Sequence, residues 1–301
     1  MRARIKKILN KQKFWGYVFV SPWVMGFLIF GAYPIIMSLY YSLCQYDVLR
    51  VPQFIGLRNY NELLFHDNYF WDSIWNTLYY LILRTPLVII GSLLLAVLVN
   101  NSLKGMKFFR TVYFMPSIIS GVILSVLWMW LLNPEYGLIN ITLGFFGIQG
   151  PLWLVDPVWS KPAIILMSIW SIGGGRMLVF LAALQSIPAQ LYEALELDGG
   201  GWWNKFRFLI VPSVSPVIFL WTIIEVIFAL QVFVEAYVMT KGGPLNSTLF
   251  YNLYLYNKAF DDFDMGYASA MAWLLFIIAM VITYIQFKMS KKWVHYSGGN
   301  G

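Results

Sequence analysis

The stretch Glu193-Ala194-Leu195-Glu196-Leu197-Asp198-Gly199-Gly200-Gly201-Trp202-Trp203-Asn204-Lys205-Phe206-Arg207-Phe208-Leu209-Ile210-Val211-Pro212 lies between two long apolar runs and breaks their pattern. Acidic side chains at 193, 196 and 198 fill its first half, and Lys205 and Arg207 fill its second. Pro188 can open a short helix here, and the glycine triplet 199–201 can close it. Every other connection reads as a link between elements. This one reads as a surface built to meet a partner.

Working outward, the flanking runs are too apolar for a soluble protein. The 301 residues are 59% hydrophobic and only 12% charged, with a mean hydropathy of +0.66. Soluble domains are about 45–50% apolar and about 25% charged. The chain is therefore an integral membrane protein. Its net charge of +7 does not point to nucleic acid, because the basic residues cluster at the ends of apolar runs, where they orient a membrane protein. A lone cysteine, Cys44, excludes an internal disulfide and a cysteine-rich metal site.

Measured against the roughly 20 residues that cross a bilayer, the apolar runs predict an all-α, polytopic single domain over 1–301 with six spans. These fall at about 14–43, 74–99, 111–132, 162–187, 214–239 and 265–288. The first run is long and holds Pro22 and Pro34, so a kink or tilt is expected. It exceeds the core of a signal peptide, about 7–15 residues, and is read as a retained helix. Residues 138–148 are apolar but too short to span, and predict an interfacial or re-entrant helix.

Lys and Arg divide unevenly between the two sides. The tail 1–13 holds six, the segment carrying Lys104, Lys107 and Arg110 three, the segment 188–212 two and the C-terminal end three, against five on the other side (Arg50, Arg58, Lys161, Lys241 and Lys258). This asymmetry predicts that both termini and the 188–212 segment are cytoplasmic.

Catalysis finds no support. His66 and His295 fall outside the spans on opposite sides, and no nucleophile elbow, zinc spacing or G-x-x-x-x-G-K-[ST] motif occurs. No metal or cofactor site is expected. Uphill solute movement would need an ion gradient or a partner ATPase.

Attention then turns to ionisable residues inside spans, which are costly there and face a cavity or a partner. Four qualify: Arg84, Arg176, Glu225 and Glu235. Trp221, Glu225, Phe228, Val232 and Glu235 recur at helical spacing, so they share one face of the fifth span. With Gln231, Trp273 and the arginines they form a candidate solute pathway, to which Trp170 and Tyr267 can add stacking surface. A buried bridge from Arg84 or Arg176 to Glu225 explains the same residues, and a bridge can itself line a pathway. Gly173-Gly174-Gly175, in the middle of the fourth span, either breaks the helix over a cavity or allows close helix packing.

Glu193-Ala194, then Asp198-Gly199, then Ile210 and Pro212, resemble the E-A-A-x-x-x-G…I-x-L-P signature of importer permeases of the ATP-binding cassette superfamily. Nearly the whole chain is similar to the binding-protein-dependent carbohydrate group. The supporting segments include Asn76-Thr77-Leu78, Pro134…Tyr136-Gly137-Leu138-Ile139-Asn140, Phe180 to Pro188 and Thr240-Lys241-Gly242-Gly243-Pro244. It resembles the first permease subunit of maltose, multiple-sugar and glycerol-phosphate systems. Leu195 and Val211 replace the usual alanine and leucine, and Arg84 stands where an uncharged residue is expected.

This resemblance implies a type I importer fold in a bacterial or archaeal plasma (inner) membrane. The segment 188–212 becomes a coupling element seated on a cytoplasmic ATPase dimer, which would hold the ATP and Mg2+ while this chain binds no cofactor. Within it, Glu193 would make a charge contact and Ala194 would allow close approach. Asp198-Gly199 would turn the chain, Trp203 and Phe206 would pack the element against the spans, and Pro212 would complete the motif. A second homologous permease, an extracellular solute-binding protein, a sugar and the lipid bilayer are the other partners implied, with no nucleic acid. The substrate expectation is a sugar or oligosaccharide, and the two buried arginines suggest a uronate-containing one. The alternatives are an ion-gradient-driven transporter and a glycerol-phosphate permease.

Overall fold

The computed structural model describes residues 12–100 and 105–295, without the side chains of 12–14. The basic positions from Arg2 to Lys11, Lys104 and the side chain of Lys13 thus lie outside what is described. The chain groups into two compact units, which the even succession of apolar runs does not announce: residues 1–66 with 257–274, and residues 67–256 with 275–301.

In the first unit, α1 (Gln12–Phe27) leads through a π-helical turn at Leu28–Ala32 into α2 (Tyr33–Ser42). The wider turn comes just before Pro34, whose ring has no N–H to give and clashes with the carbonyl one turn back. Together they make one apolar stretch, Trp15–Ser42, whose most apolar window is 0% buried within the protein. That surface is left for lipid or another chain. Two-residue strands β1 (Cys44–Gln45) and β2 (Gln53–Phe54) pair antiparallel, with Cys44 opposite Phe54, and α3 (Arg58–Phe65) follows. Asn59 Nδ2 pins this loop by donating to the carbonyls of Ser42 (3.0 Å) and Cys44 (2.9 Å).

The second unit is organised around α4 (Asn68–Val99), whose N-cap Asp67 accepts from the Phe70 amide. Around it pack α8 (Pro157–Trp170), α9 (Gly175–Gln185), α12 (Val211–Leu230) and α14 (Tyr251–Tyr256). Where α4, α9 and α12 meet, the apolar core includes Leu93, Val99, Phe180, Leu184 and Val214. Between α4 and α8 come α5 (Met106–Phe114), α6 (Gly121–Leu131) and α7 (Leu138–Phe145). The segment expected to be re-entrant or interfacial thus forms a short helix with exposed apolar side chains. The remaining elements are α10 (Ala189–Leu197), α11 (Trp202–Asn204), α13 (Val234–Met239) and α15 (Met265–Ser290). The last begins in the first unit and ends in the second, where Phe287 meets Phe219 edge-on at 5.2 Å.

Among the described residues, four helices are long and apolar enough to cross a membrane, or up to six if two bent pairs each make one span. Three runs that read as single helices are interrupted. The run 111–132 bends by 99° between Ile118 and Gly121, because Pro116 opens a 3-10 turn and Ile119 and Ser120 are extended. The run 162–187 bends by 45° at the glycine triplet, where Gly174 is extended (ψ −151°). Both readings of that triplet hold, since a Cβ on Gly173 would fall 2.1 Å from the Tyr113 carbonyl oxygen. The run 214–239 stops at Leu230 and restarts at Val234.

Candidate functional site

The breaks place polar groups inside the second unit and then satisfy them. The Ser171 carbonyl, left at the glycine break with a long 3.4 Å bond from the Gly174 amide, also accepts from Arg176 Nη2 at 2.9 Å. The next carbonyl, Ile172, accepts from Ser92 Oγ at 2.8 Å. Interrupted helix survives at membrane depth only where protein or water takes up its backbone groups, and here side chains do so.

Arg176 also reaches Glu225 on α12. One Glu225 oxygen accepts from Arg176 Nη1, and the other accepts from Arg84 Nη1 of α4 at 2.6 Å. The carboxylate is fully buried, and the two guanidinium side chains are 11% and 15% exposed. Three helices therefore converge on one acidic side chain. Two cations against one anion leave this cluster with a surplus positive charge. Isolating such charges is costly unless they are paired and hydrogen-bonded, which explains why the carboxylate sits between them. Tyr80, one turn before Arg84, holds its ring 5.7 Å from the Arg84 guanidinium carbon.

The arginines face open space. A cavity of about 360 Å³ is lined by Tyr80, Arg84, Arg176, Phe228, Gln231 and Glu235. A second, of about 340 Å³, is lined by residues including Ser171, Gly174, Arg176, Trp221 and Phe228. Arg176 and Phe228 thus border both. Glu225 lines neither; it supports the wall from behind. The break after Leu230 removes the single five-residue face expected for this span. Val232 is buried, and Gln231 and Glu235 enter the cavity from the interruption and from α13. Asn252 Nδ2 takes the freed Gln231 carbonyl at 3.4 Å. Trp221 keeps a buried indole N–H without a partner among the described residues. Trp273 belongs to the first unit, where its Nε1 donates to Ser38 Oγ at 3.2 Å. Tyr80 was absent from the expected pathway. Its position four residues before Arg84 on one helix was the available signal.

The 188–212 segment folds from its own sequence. Pro188 caps α10, and the helix ends at Gly199, whose φ is +76°. The Gly199 amide donates to the Glu196 carbonyl (3.0 Å) and the Gly200 amide to that of Leu195 (2.8 Å). These two bonds make a Schellman closure. The ion pair Lys205–Glu196 ties the two halves of the segment together. Tyr192 and Phe206 pack against the bundle core, and burial pushes the Tyr192 phenol above its ordinary pKa, with Lys205 acting the other way. Trp203 stacks with Phe206 at 5.8 Å but stays 60% exposed, so the spans cover Phe206 and not Trp203. Glu193, Ala194, Asp198 and Gly199 are all exposed, and Leu197 is 89% exposed. Pro212 stands in the first turn of α12, again just after a π-helical turn, Lys205–Ile210.

Known proteins are similar to this chain along nearly its whole length. Residues 65–295 match the family described as binding-protein-dependent transport system inner membrane component. The probable ABC transporter permease protein YesP of Bacillus subtilis (strain 168) is 40% identical over 292 residues, covering 96% of this chain and 94% of that one. The lactose transport system permease protein LacF of Rhizobium radiobacter is 36% identical over 283 residues, covering 92% and 94%. Among solved structures, a bacterial alginate ABC transporter in complex with an alginate pentasaccharide-bound periplasmic protein is similar with a TM-score of 0.83 and 26% identity, over 93% of this chain and 95% of that one. The chain therefore belongs to the family of inner membrane components of binding-protein-dependent transport systems, as a multi-pass membrane protein whose relatives are transport permeases.

Proposed function

We propose that this chain is one permease subunit of an ATP-driven importer of sugars or oligosaccharides, non-catalytic itself and coupled to a separate ATPase through residues 188–212. The observation that carries the reading is α10. Its backbone is locked by the Schellman closure and its base is anchored by Tyr192 and Phe206, yet Glu193, Ala194 and Leu197 are uncovered. A rigid helix with an open acidic and apolar face is suited to transmit force from a docked protein. Relatives named for lactose and alginate transport support the saccharide class.

In this reading the ATPase dimer binds ATP and Mg2+, and this chain binds neither. Glu193 makes the charge contact, Ala194 permits close approach, and Asp198-Gly199 ends the coupling helix. A second, homologous permease completes the pathway, and an extracellular binding protein delivers the solute. In this reading the membrane is a bacterial or archaeal plasma membrane, and the bias of Lys and Arg supports a cytoplasmic side for both termini and the coupling segment.

Uptake into proteoliposomes carrying the whole importer tests the proposal. Saccharide entry should require ATP, persist when proton and sodium gradients are collapsed, and disappear with Glu193→Lys. Entry that follows the ion gradient and ignores ATP would show a secondary transporter instead.

A further inference from the structure

The two buried arginines are not equivalent. Arg176 spends Nη1 on Glu225 and Nη2 on the Ser171 carbonyl, so both ends of its guanidinium fork are engaged. Arg84 spends only Nη1, on Glu225. The Nε of each arginine is buried without a partner, so the difference lies at Nη2: that of Arg84 has no protein acceptor among the described residues, and the Arg84 side chain lines the 360 Å³ cavity. The same cavity contains Glu235, which forms no ion pair or hydrogen bond among the described residues, together with the amide of Gln231 and the ring of Phe228.

We propose that Arg84 is the residue that reads the solute, that it binds a carboxylate, and that the importer carries an acidic saccharide of the uronate class. This rests on the importer reading above. The charges around the cavity balance when Glu235 on its wall is counted with Glu225 against the two arginines, so the recognition rests on the unengaged Arg84 donor and not on net charge. The unengaged Nη2 of Arg84 is a charged donor suited to a carboxylate oxygen. Glu225 does not compete, because both its oxygens are held by the arginines and it does not reach the cavity wall. Glu235 and Gln231 supply acceptors for sugar hydroxyls, and Phe228 offers an apolar ring face. Arg176 acts by holding Glu225 and the broken helix in place; it is a positioning residue.

The complete importer, with its binding protein, should be reconstituted and supplied in turn with oligouronides of galacturonate, mannuronate and guluronate, with the neutral galacto- and manno-oligosaccharides of equal length, and with glycerol 3-phosphate. ATP-dependent uptake of at least one uronide is expected, with neutral partners and glycerol 3-phosphate left behind. Arg84→Ala should lower uronide uptake by at least about tenfold, and Arg84→Lys, which keeps the charge but loses the fork, should recover part of it. ATP-dependent uptake confined to neutral sugars or glycerol 3-phosphate would overturn the inference while leaving the importer reading intact. Equal uronide uptake by wild type and Arg84→Ala would do the same. Absence of any ATP-dependent saccharide uptake would sink both. Should Arg84→Ala fail to assemble, the wild-type comparison alone decides the solute class.

Discussion

Arg84 and Glu225 stand 141 residues apart in the chain and 2.6 Å apart in the fold. Because Glu225 also holds Arg176, removing different members of the cluster should have unequal costs. Without Arg84, a neutral Arg176–Glu225 pair remains. Without the Glu225 charge, two buried guanidinium groups face each other unbalanced. Glu225→Gln should therefore destabilise the protein by about 3–5 kcal/mol, and Arg84→Ala by clearly less. Apparent melting midpoints in detergent check this, and an equal loss for both variants would show that the cluster is not the electrostatic unit described.

The glycine triplet at the end of α10 invites a graded test. Gly199 has φ +76°, which costs an ordinary residue roughly 1–2 kcal/mol. A Cβ on Gly200 would lie 2.7 Å from the Leu195 carbonyl oxygen, and one on Gly201 would meet nothing within 4 Å. Gly199→Ala and Gly200→Ala should each depress ATP-dependent uptake severalfold, and Gly201→Ala should leave it unchanged. If the three behave alike, the shape of the closure is not what couples the segment.

These examples mark what could be read in the sequence. Pro188 and the glycines announced the bounds of α10 because capping is a local matter of backbone φ and missing donors. The apolar runs announced membrane helices for the same local reason. The interruption at Gln231–Phe233 carries neither proline nor glycine, and its freed carbonyl is taken by Asn252, twenty-one residues on. No local breaker marks it, so helical spacing wrongly continued one face through to Glu235. Sequence raised a bridge between an arginine and Glu225 as one reading. That both arginines share the one carboxylate, and that only Arg84 keeps an unengaged Nη2 among the described residues, depends on distances no single-sequence pattern contains.

Leu197 is almost fully uncovered at the end of α10, next to residues assigned above to the ATPase contact. Leu197→Asp should leave the melting midpoint of the isolated chain within about 0.5 kcal/mol of wild type, as for an exposed substitution. It should also weaken co-purification with the ATPase by tenfold or more, since an apolar contact is lost and a charge is buried. Unchanged co-purification would move the docking face elsewhere on the segment.

Asn76 ties distant parts of the second unit together through one side chain. Its Nδ2 donates to the carbonyls of Asn246 (2.8 Å) and Leu249 (3.2 Å), and its Oδ1 accepts from Lys161 Nζ at 2.8 Å. Next to it, Thr77 Oγ1 accepts from the Tyr251 amide at 2.8 Å. Asn76→Ala would take the side-chain amide from the Leu249 carbonyl and the Lys161 ammonium, while the Asn246 carbonyl keeps the Leu249 amide at 3.1 Å, and should cost on the order of 2–4 kcal/mol. Thr77→Val keeps the shape, loses one acceptor and should cost about 1 kcal/mol. Hydrogen exchange separates the two effects. Thr77→Val should expose the Tyr251 amide alone, whereas Asn76→Ala should speed exchange across residues 246–251 together. Unaltered exchange in Asn76→Ala would mean that this loop is held by its apolar contacts, with Phe250 and Tyr251 wholly buried, and not by the amide.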